Sequence, residues 1–212
     1  MSARKKILCI VGTRPAAIKM APVIRALRAE PRFDTIVLLS GQHRDLLAPL
    51  IEWFELPVDG DLGVMTEDQG LAELTARLMH AFQGHLAASP PDLVLAQGDT
   101  TTVMCAALAC FYNRIPFGHV EAGLRTHDIH NPFPEEFNRV AVGCLASQHF
   151  CPTPAAAGHV LAQGARKDTV HVTGNTVIDA LYFTRDKLAR LHPPVPKNQV
   201  LMTVHRRENF GA

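Results

Sequence analysis

Four short polar runs, Gly12-Thr13-Arg14-Pro15, Gly41-Gln42-His43-Arg44, Gly98-Asp99-Thr100 and Glu121-Ala122-Gly123-Leu124-Arg125, each follow an apolar stretch. In open parallel sheets, ligands sit outside the carboxyl ends of strands, where such loops meet helix N-termini. The first run, together with Lys19, offers a tight turn, a helix N-terminus and two cations, a cradle for an anion or a sugar. A plain turn with solvated cations fits the same pattern. With a single glycine the run is neither Gly-x-Gly-x-x-Gly nor a P-loop, so NAD and ATP have no fingerprint here.

Four carboxylates stand out. Asp99 precedes a Thr-rich helix start and reads first as its cap, with a carboxylate at the ligand edge as the alternative. Glu121 follows a buried run directly and precedes Ala-Gly, which leaves no helix for it to cap and favours a role in a site. Glu135 and Glu136 open a helix, where acids suit the dipole, and Glu135 stands at i,i+4 spacing to Arg139. His205 begins the run His205-Arg206-Arg207-Glu208-Asn209, four of whose members are charged or titratable, a composition suited to an anion-binding or acid–base loop. His119 stands two positions before Glu121 in the same strand.

These groups need a scaffold, and the hydrophobic pattern predicts one. Ile7 to Val11, Thr35 to Leu39, Leu93 to Ala96, Ile115 to Val120, His149 to Cys151 and Val170 to Val172 read as strands, with Ile7 to Val11 suited to burial on both faces at the centre of a parallel sheet. Between them, helices are expected from Pro15, from about His43 to Phe54, over Leu71 to Leu86, after Thr102 to Tyr112, over Pro134 to Ala146 and over Pro154 to Gln163. Leu71, Leu74, Leu78 and Phe82 mark one face of the third. Regular alternation implies right-handed crossovers and an α/β, Rossmann-like, doubly wound parallel sheet. A helix from about Thr176 to Leu191 leads into the Pro-rich stretch 192–198, and Val200 to Val204 reads as a new buried strand. The expected organisation is a domain over residues 1–172, then a linker and the start of an incomplete C-terminal Rossmann-like domain over 173–212.

Composition narrows the class. The 212 residues carry a net charge of +1 with 47% hydrophobic and 19% charged residues, the balance of a globular protein with no bulk electrostatic case for nucleic acid or a membrane surface. Five cysteines without Cys-x-x-Cys spacing read as buried reduced thiols, and the histidines show no metal-ligand pattern. Ile7 to Val11 is shorter than a signal-peptide core, so a cytoplasmic location is expected.

The runs Gly12 to Lys19, Gly41 to Asp45, Gln97 to Thr101, His119 to Thr126, Pro134 to Arg139, Thr173 to Thr176 and His205 to Asn209 occur in an order and spacing that resemble the non-hydrolysing UDP-N-acetylglucosamine 2-epimerase family. The resemblance covers essentially the whole chain, as the N-terminal part of such a protein. One departure is Ala16, where the family commonly has Glu. The resemblance implies two Rossmann-like domains in the glycosyltransferase-B arrangement, with substrate in the cleft between them. It further implies that Arg14 and Lys19 line the nucleotide-sugar site and that Asp99, Glu121, Glu135 and His205 form the catalytic group. Gln42, His43 and Arg44 match a loop implicated in activation by a second UDP-GlcNAc. The implied reaction interconverts UDP-GlcNAc and UDP-ManNAc by loss and re-addition of UDP through 2-acetamidoglucal, with no cofactor. It would serve cell-envelope polysaccharide synthesis, in a protein that is a homodimer at full length. The rival readings are a glycosyltransferase of the same architecture and a non-catalytic sugar-nucleotide-binding fragment. On its own the 212-residue chain is expected to be inactive.

Overall fold

In the computed structural model, which describes residues 3–41, 44–64, 66, 69–191, 198, 200 and 202, strands and helices alternate along the chain. The strands are β1 (Lys5–Val11), β2 (Phe33–Leu39), β3 (Gly60–Asp61), β4 (Leu93–Gln97), β5 (Phe117–Val120), β6 (Gln148–Cys151) and β7 (Val170–Val172). The helices are α1 (Arg14–Ala29), α2 (Arg44–Trp53), α3 (Leu71–Ala88), α4 (Thr101–Tyr112), α5 (Glu135–Leu145), α6 (Pro154–Ala162) and α7 (Val177–Leu191). The strands form one parallel sheet in the order β3-β2-β1-β4-β5-β6-β7, the doubly wound arrangement expected from the alternation.

Burial on both faces explains why β1 and β4 read as unbroken apolar runs. Leu8 and Ile10 of β1, Val94 and Ala96 of β4 and Phe117 of β5 join Leu74, Leu78, Phe82 and Leu86 of α3 and the small residues Cys105, Ala106 and Ala109 of α4 in one core. The small side chains let α4 lie close to the sheet. α1 instead buries Ala17, Met20, Ala21 and Ile24, and it runs unbroken through Pro22 after a Thr13 N-cap. Asp92 secures the amino-terminal edge of the sheet, accepting from Lys5 Nζ at 2.9 Å and from the Lys6 amide at 2.8 Å. Ser147 does the same for β5, accepting the Phe117 amide at 3.0 Å.

Three details differ from the pattern-based expectation. Leu71 is 44% exposed at the start of α3, so the buried stripe begins at Leu74. β5 starts at Phe117, because Pro116 has no N–H to give to a ladder. The two-residue β3 has no hydrophobic run to announce it. The chain divides into compact units Met1–Ala180 and Leu181–Ala212. In the second unit, the Arg185 guanidinium lies 4.8 Å from the centroid of the Tyr182 ring. The strand expected over 200–204 falls mostly outside the described residues, and Val200 and Met202 are exposed. Among the described residues no helix is long and apolar enough to cross a membrane.

Two buried features carry testable consequences. Gly123 has φ 88°, and a Cβ there would press on the Ala156 carbonyl at the start of α6. Gly123→Ala should therefore destabilise the chain by roughly 2–4 kcal/mol through clash and backbone strain, read as a lower urea midpoint. The second feature is the pair His119 and His149, register partners on β5 and β6 and both 1% exposed. Burial pushes His119 down to about 4, aided by His149 and Arg125 and opposed by the Gly98 carbonyl and Glu121. Burial, with Arg125 and His171, also lowers His149. A depressed folded-state pKa means that the unfolded chain binds more protons below its own value near 6.5. Stability should then be full above about pH 6.5 and decline toward pH 4, by an amount on the order of 3 kcal/mol for His119. Urea titrations between pH 7.5 and 4.5 measure this, and a flat profile would show that these imidazoles are not held neutral.

Candidate active site

Because every strand runs parallel, the loops after β1, β4, β5 and β7 leave from the same edge of the sheet. Strand order reverses direction between β1 and β4, which is where a doubly wound sheet opens a crevice for ligands. Gly12 and Thr13 leave β1 there, and Gly98 and Asp99 leave β4.

Glu121 is the most heavily bonded side chain at this edge. Its backbone turns left-handed straight after β5, with φ 66°, and its carboxylate faces three other segments. Lys19 Nζ, from the second turn of α1, donates to Oε1 at 2.8 Å and to Oε2 at 2.7 Å. Asn175 Nδ2, from the loop after β7, donates to Oε1 at 2.7 Å, and Gln97 Nε2, from the end of β4, donates to Oε2. The Glu121 side chain is only 10% exposed and that of Lys19 23%, so this ion pair is shielded far better than a surface one.

Asp99 belongs to a second network. Arg139 of α5 donates to Asp99 Oδ2 from Nε at 2.9 Å and lies 2.7 Å from the same oxygen through Nη2. Its Nη1 donates to Glu136 Oε2 at 3.0 Å, and Asn138 Nδ2 donates to the Asp99 main-chain carbonyl at 2.8 Å. Glu136, 1% exposed, spends its other oxygen on the amides of Thr126 and His127, each at 3.0 Å. Burial alone would raise this carboxyl, but the His127 amide, Arg139 and the Thr126 amide outweigh it and the net shift is downward.

Two expectations are corrected here. The N-cap of α4 is Thr100, with no side-chain capping bond, so Asp99 is not the helix cap; the Arg139 guanidinium is the stronger partner for its carboxylate. Arg139 pairs with Glu136 at i,i+3 and with Asp99, and not with Glu135 at i,i+4. Glu135 is the first residue of α5, half-buried, and its side chain makes no hydrogen bond or ion pair with another described residue.

Of the residues expected at the site, Lys19 and Glu121 meet directly, and Asp99, two residues after the Gln97 that binds Glu121, is bonded instead to Arg139. Arg14 opens α1 with its side chain exposed. His205, Gln42 and His43 lie outside the described residues, and Arg44 opens α2 with only its backbone described. Gln97, Asn138 and Asn175 were not singled out by residue chemistry, although each sits inside one of the quoted motif runs; Glu136 and Arg139 were read only as a helix-start acid and as a partner for Glu135. Their partners are distant in sequence, and membership in a run is the one signal that could have found them. Among the described residues no group of three or more His, Cys, Asp or Glu could hold a metal. Chemically, the edge offers two carboxylates, each bonded to a cation, beside a crevice suited to an anionic ligand.

Residues 25–212 match the family model described as UDP-N-acetylglucosamine 2-epimerase. The UDP-N-acetylglucosamine 2-epimerase of Salmonella typhimurium is 45% identical over 97% of this chain, which spans 58% of that relative's length. A crystal structure of UDP-GlcNAc 2-epimerase from Neisseria meningitidis bound to UDP-GlcNAc is 44% identical and superposes with a TM-score of 0.83, over 87% of this chain and 50% of that one. A lipopolysaccharide outer core galactosyltransferase, 14% identical with a TM-score of 0.56 over 80% of this chain and 45% of that one, shares the fold alone. With a family model matched over most of its length and a relative 45% identical over 97% of it, the chain belongs to the UDP-N-acetylglucosamine 2-epimerase family.

Proposed function

We propose that the full-length protein interconverts UDP-GlcNAc and UDP-ManNAc without a redox cofactor, by elimination and re-addition of UDP. The observation that carries this reading is the pairing of each edge carboxylate with a cation, Glu121 with Lys19 and Asp99 with Arg139. The C2 proton of an N-acetylhexosamine is not adjacent to a carbonyl, so its removal needs a leaving group to take the electrons. A base removes that proton, the C1–O bond breaks with its electron pair going to UDP, and C1=C2 forms in 2-acetamidoglucal. A proton then returns to the opposite face of C2 as a diphosphate oxygen attacks C1, giving the manno epimer.

This sequence requires acid–base groups on both faces of the sugar and cations to hold the departing diphosphate. Asp99, Glu121, Glu135 and His205 are assigned the proton transfers, and Arg14 and Lys19 the nucleotide sugar. Arrival of the diphosphate at Lys19 would also compete with Glu121 for that ammonium and free the carboxylate. Gln42, His43 and Arg44 are assigned to a second, activating UDP-GlcNAc, in a cytoplasmic homodimer.

Two measurements test the reading. In heavy water, UDP-ManNAc formed from UDP-GlcNAc should carry deuterium at C2; retention of the original hydrogen, or a strict need for NAD, would overturn it. Asp99→Asn, Glu121→Gln and Glu135→Gln should each lower kcat by about 100-fold or more with much smaller changes in KM. Near-normal turnover in a folded variant removes that residue from the acid–base group.

A further inference from the structure

His119 has no part in the proton transfers above, yet it is almost completely buried directly beneath the site loops. Its Nε2 lies 2.7 Å from the carbonyl oxygen of Gly98. A carbonyl only accepts, so Nε2 carries the proton, and in the neutral ring Nδ1 is left as an acceptor. Nδ1 has no hydrogen-bond partner among the described residues, so the Gly98 carbonyl alone sets the tautomer.

The other half of the Gly98 residue is also tied to β5, since its amide donates to the Val120 carbonyl at 3.1 Å. Gly98 has φ 90°, a conformation glycine enters and leaves without a steric barrier from Cβ. A peptide unit between such a glycine and Asp99 can rotate unless its carbonyl is held. Rotation would turn the Asp99 amide and swing the start of the residue whose carboxylate meets Arg139. Asn138 holds the next carbonyl, that of Asp99, but among the described residues nothing besides His119 grips the one before it.

We propose that His119 is a positioning residue for Asp99, acting through its Nε2–H on the Gly98 carbonyl to lock the Gly98–Asp99 peptide in one orientation. The proposal rests on the epimerase reading for its kinetic consequence, and on geometry alone for its structural one. A neutral imidazole suits the task, because it donates one directed hydrogen bond without placing a charge beside Glu121. Glutamine can offer an amide N–H at a reach similar to that of Nε2; leucine fills space and donates nothing.

The test uses full-length protein. His119→Leu should lower kcat roughly 10- to 100-fold, the scale expected when a catalytic group is misplaced by about 1 Å, with KM changed far less. His119→Gln should restore most of that loss. Gly98→Ala supplies an independent arm, because a Cβ there meets no atom within 4 Å and can act only by disfavouring the positive φ; it should also lower kcat. The Asp99 amide resonance should shift in His119→Leu and return in His119→Gln, a readout that does not require turnover. Wild-type kcat in folded His119→Leu, failure of the glutamine variant to rescue a folded protein, or an unmoved Asp99 resonance overturns the proposal. If His119→Leu does not fold, Gly98→Ala and His119→Gln decide: reduced kcat in the first with near-normal kcat in the second supports it, and wild-type kcat in Gly98→Ala overturns it. Absence of epimerisation by the wild-type protein would instead defeat the functional reading, while the Asp99 resonance would still judge the role of His119.

Discussion

The carboxylate of Glu121 collects hydrogen bonds from α1, from the end of β4 and from the loop after β7, while its own backbone leaves β5. Parallel strands place those four segments at one edge, but nothing in a sheet ladder fixes how their loops meet. A single acceptor with two oxygens does so, and the cost is a non-glycine residue in the left-handed region. Gly123, two residues on, permits the chain to pass against the start of α6, and Ala122 returns to the ladder by donating to the Phe150 carbonyl at 3.0 Å. The strained turn is thus braced on both sides, which is the condition under which such a conformation persists.

Asp99 and Glu121 sit in networks of different construction. Glu121 is held by one ammonium and two neutral amides, partners that can be exchanged for a ligand one at a time. Asp99 faces a guanidinium that is itself pinned by the buried Glu136, and Glu136 in turn holds the amides of Thr126 and His127. The planar fork of Arg139 serves two acids at once, a geometry a lysine could not reproduce. One acid is therefore mounted on a relatively exchangeable support and the other on a chain of charge-assisted bonds that reaches the loop before α5.

Much of the scaffold was legible before any coordinates. Ile7 to Val11 and Leu93 to Ala96 are apolar throughout because helices cover both faces, and Leu74, Leu78 and Phe82 recur at helical spacing because one face of α3 is buried. β3 was not legible, since two residues in a Gly-Asp pair carry no periodicity. At the site, sequence singled out Glu121 by elimination, there being no helix for it to cap, but it could not supply Gln97 or Asn175 as partners. It chose the wrong acid for Arg139 because i,i+4 spacing is visible in a sequence and a contact between residues 99 and 139 is not. Local rules settle elements; which charged groups meet is settled by the way the elements pack.

The two edges of the sheet divide their labour. At the amino-terminal edge, Asp92 ties Lys5 and the Lys6 amide, and Ser147 ties β5, pairings that also join distant parts of the sequence but involve none of the site residues. At the opposite edge, side chains far apart in sequence converge. A lineage or an engineer can therefore lengthen the loops at the amino-terminal edge almost independently of the chemistry. A single inserted residue after β4 or β5 would disturb several partners at once. The architecture makes one rim of the molecule tolerant to change and the other resistant, an asymmetry written into strand direction alone.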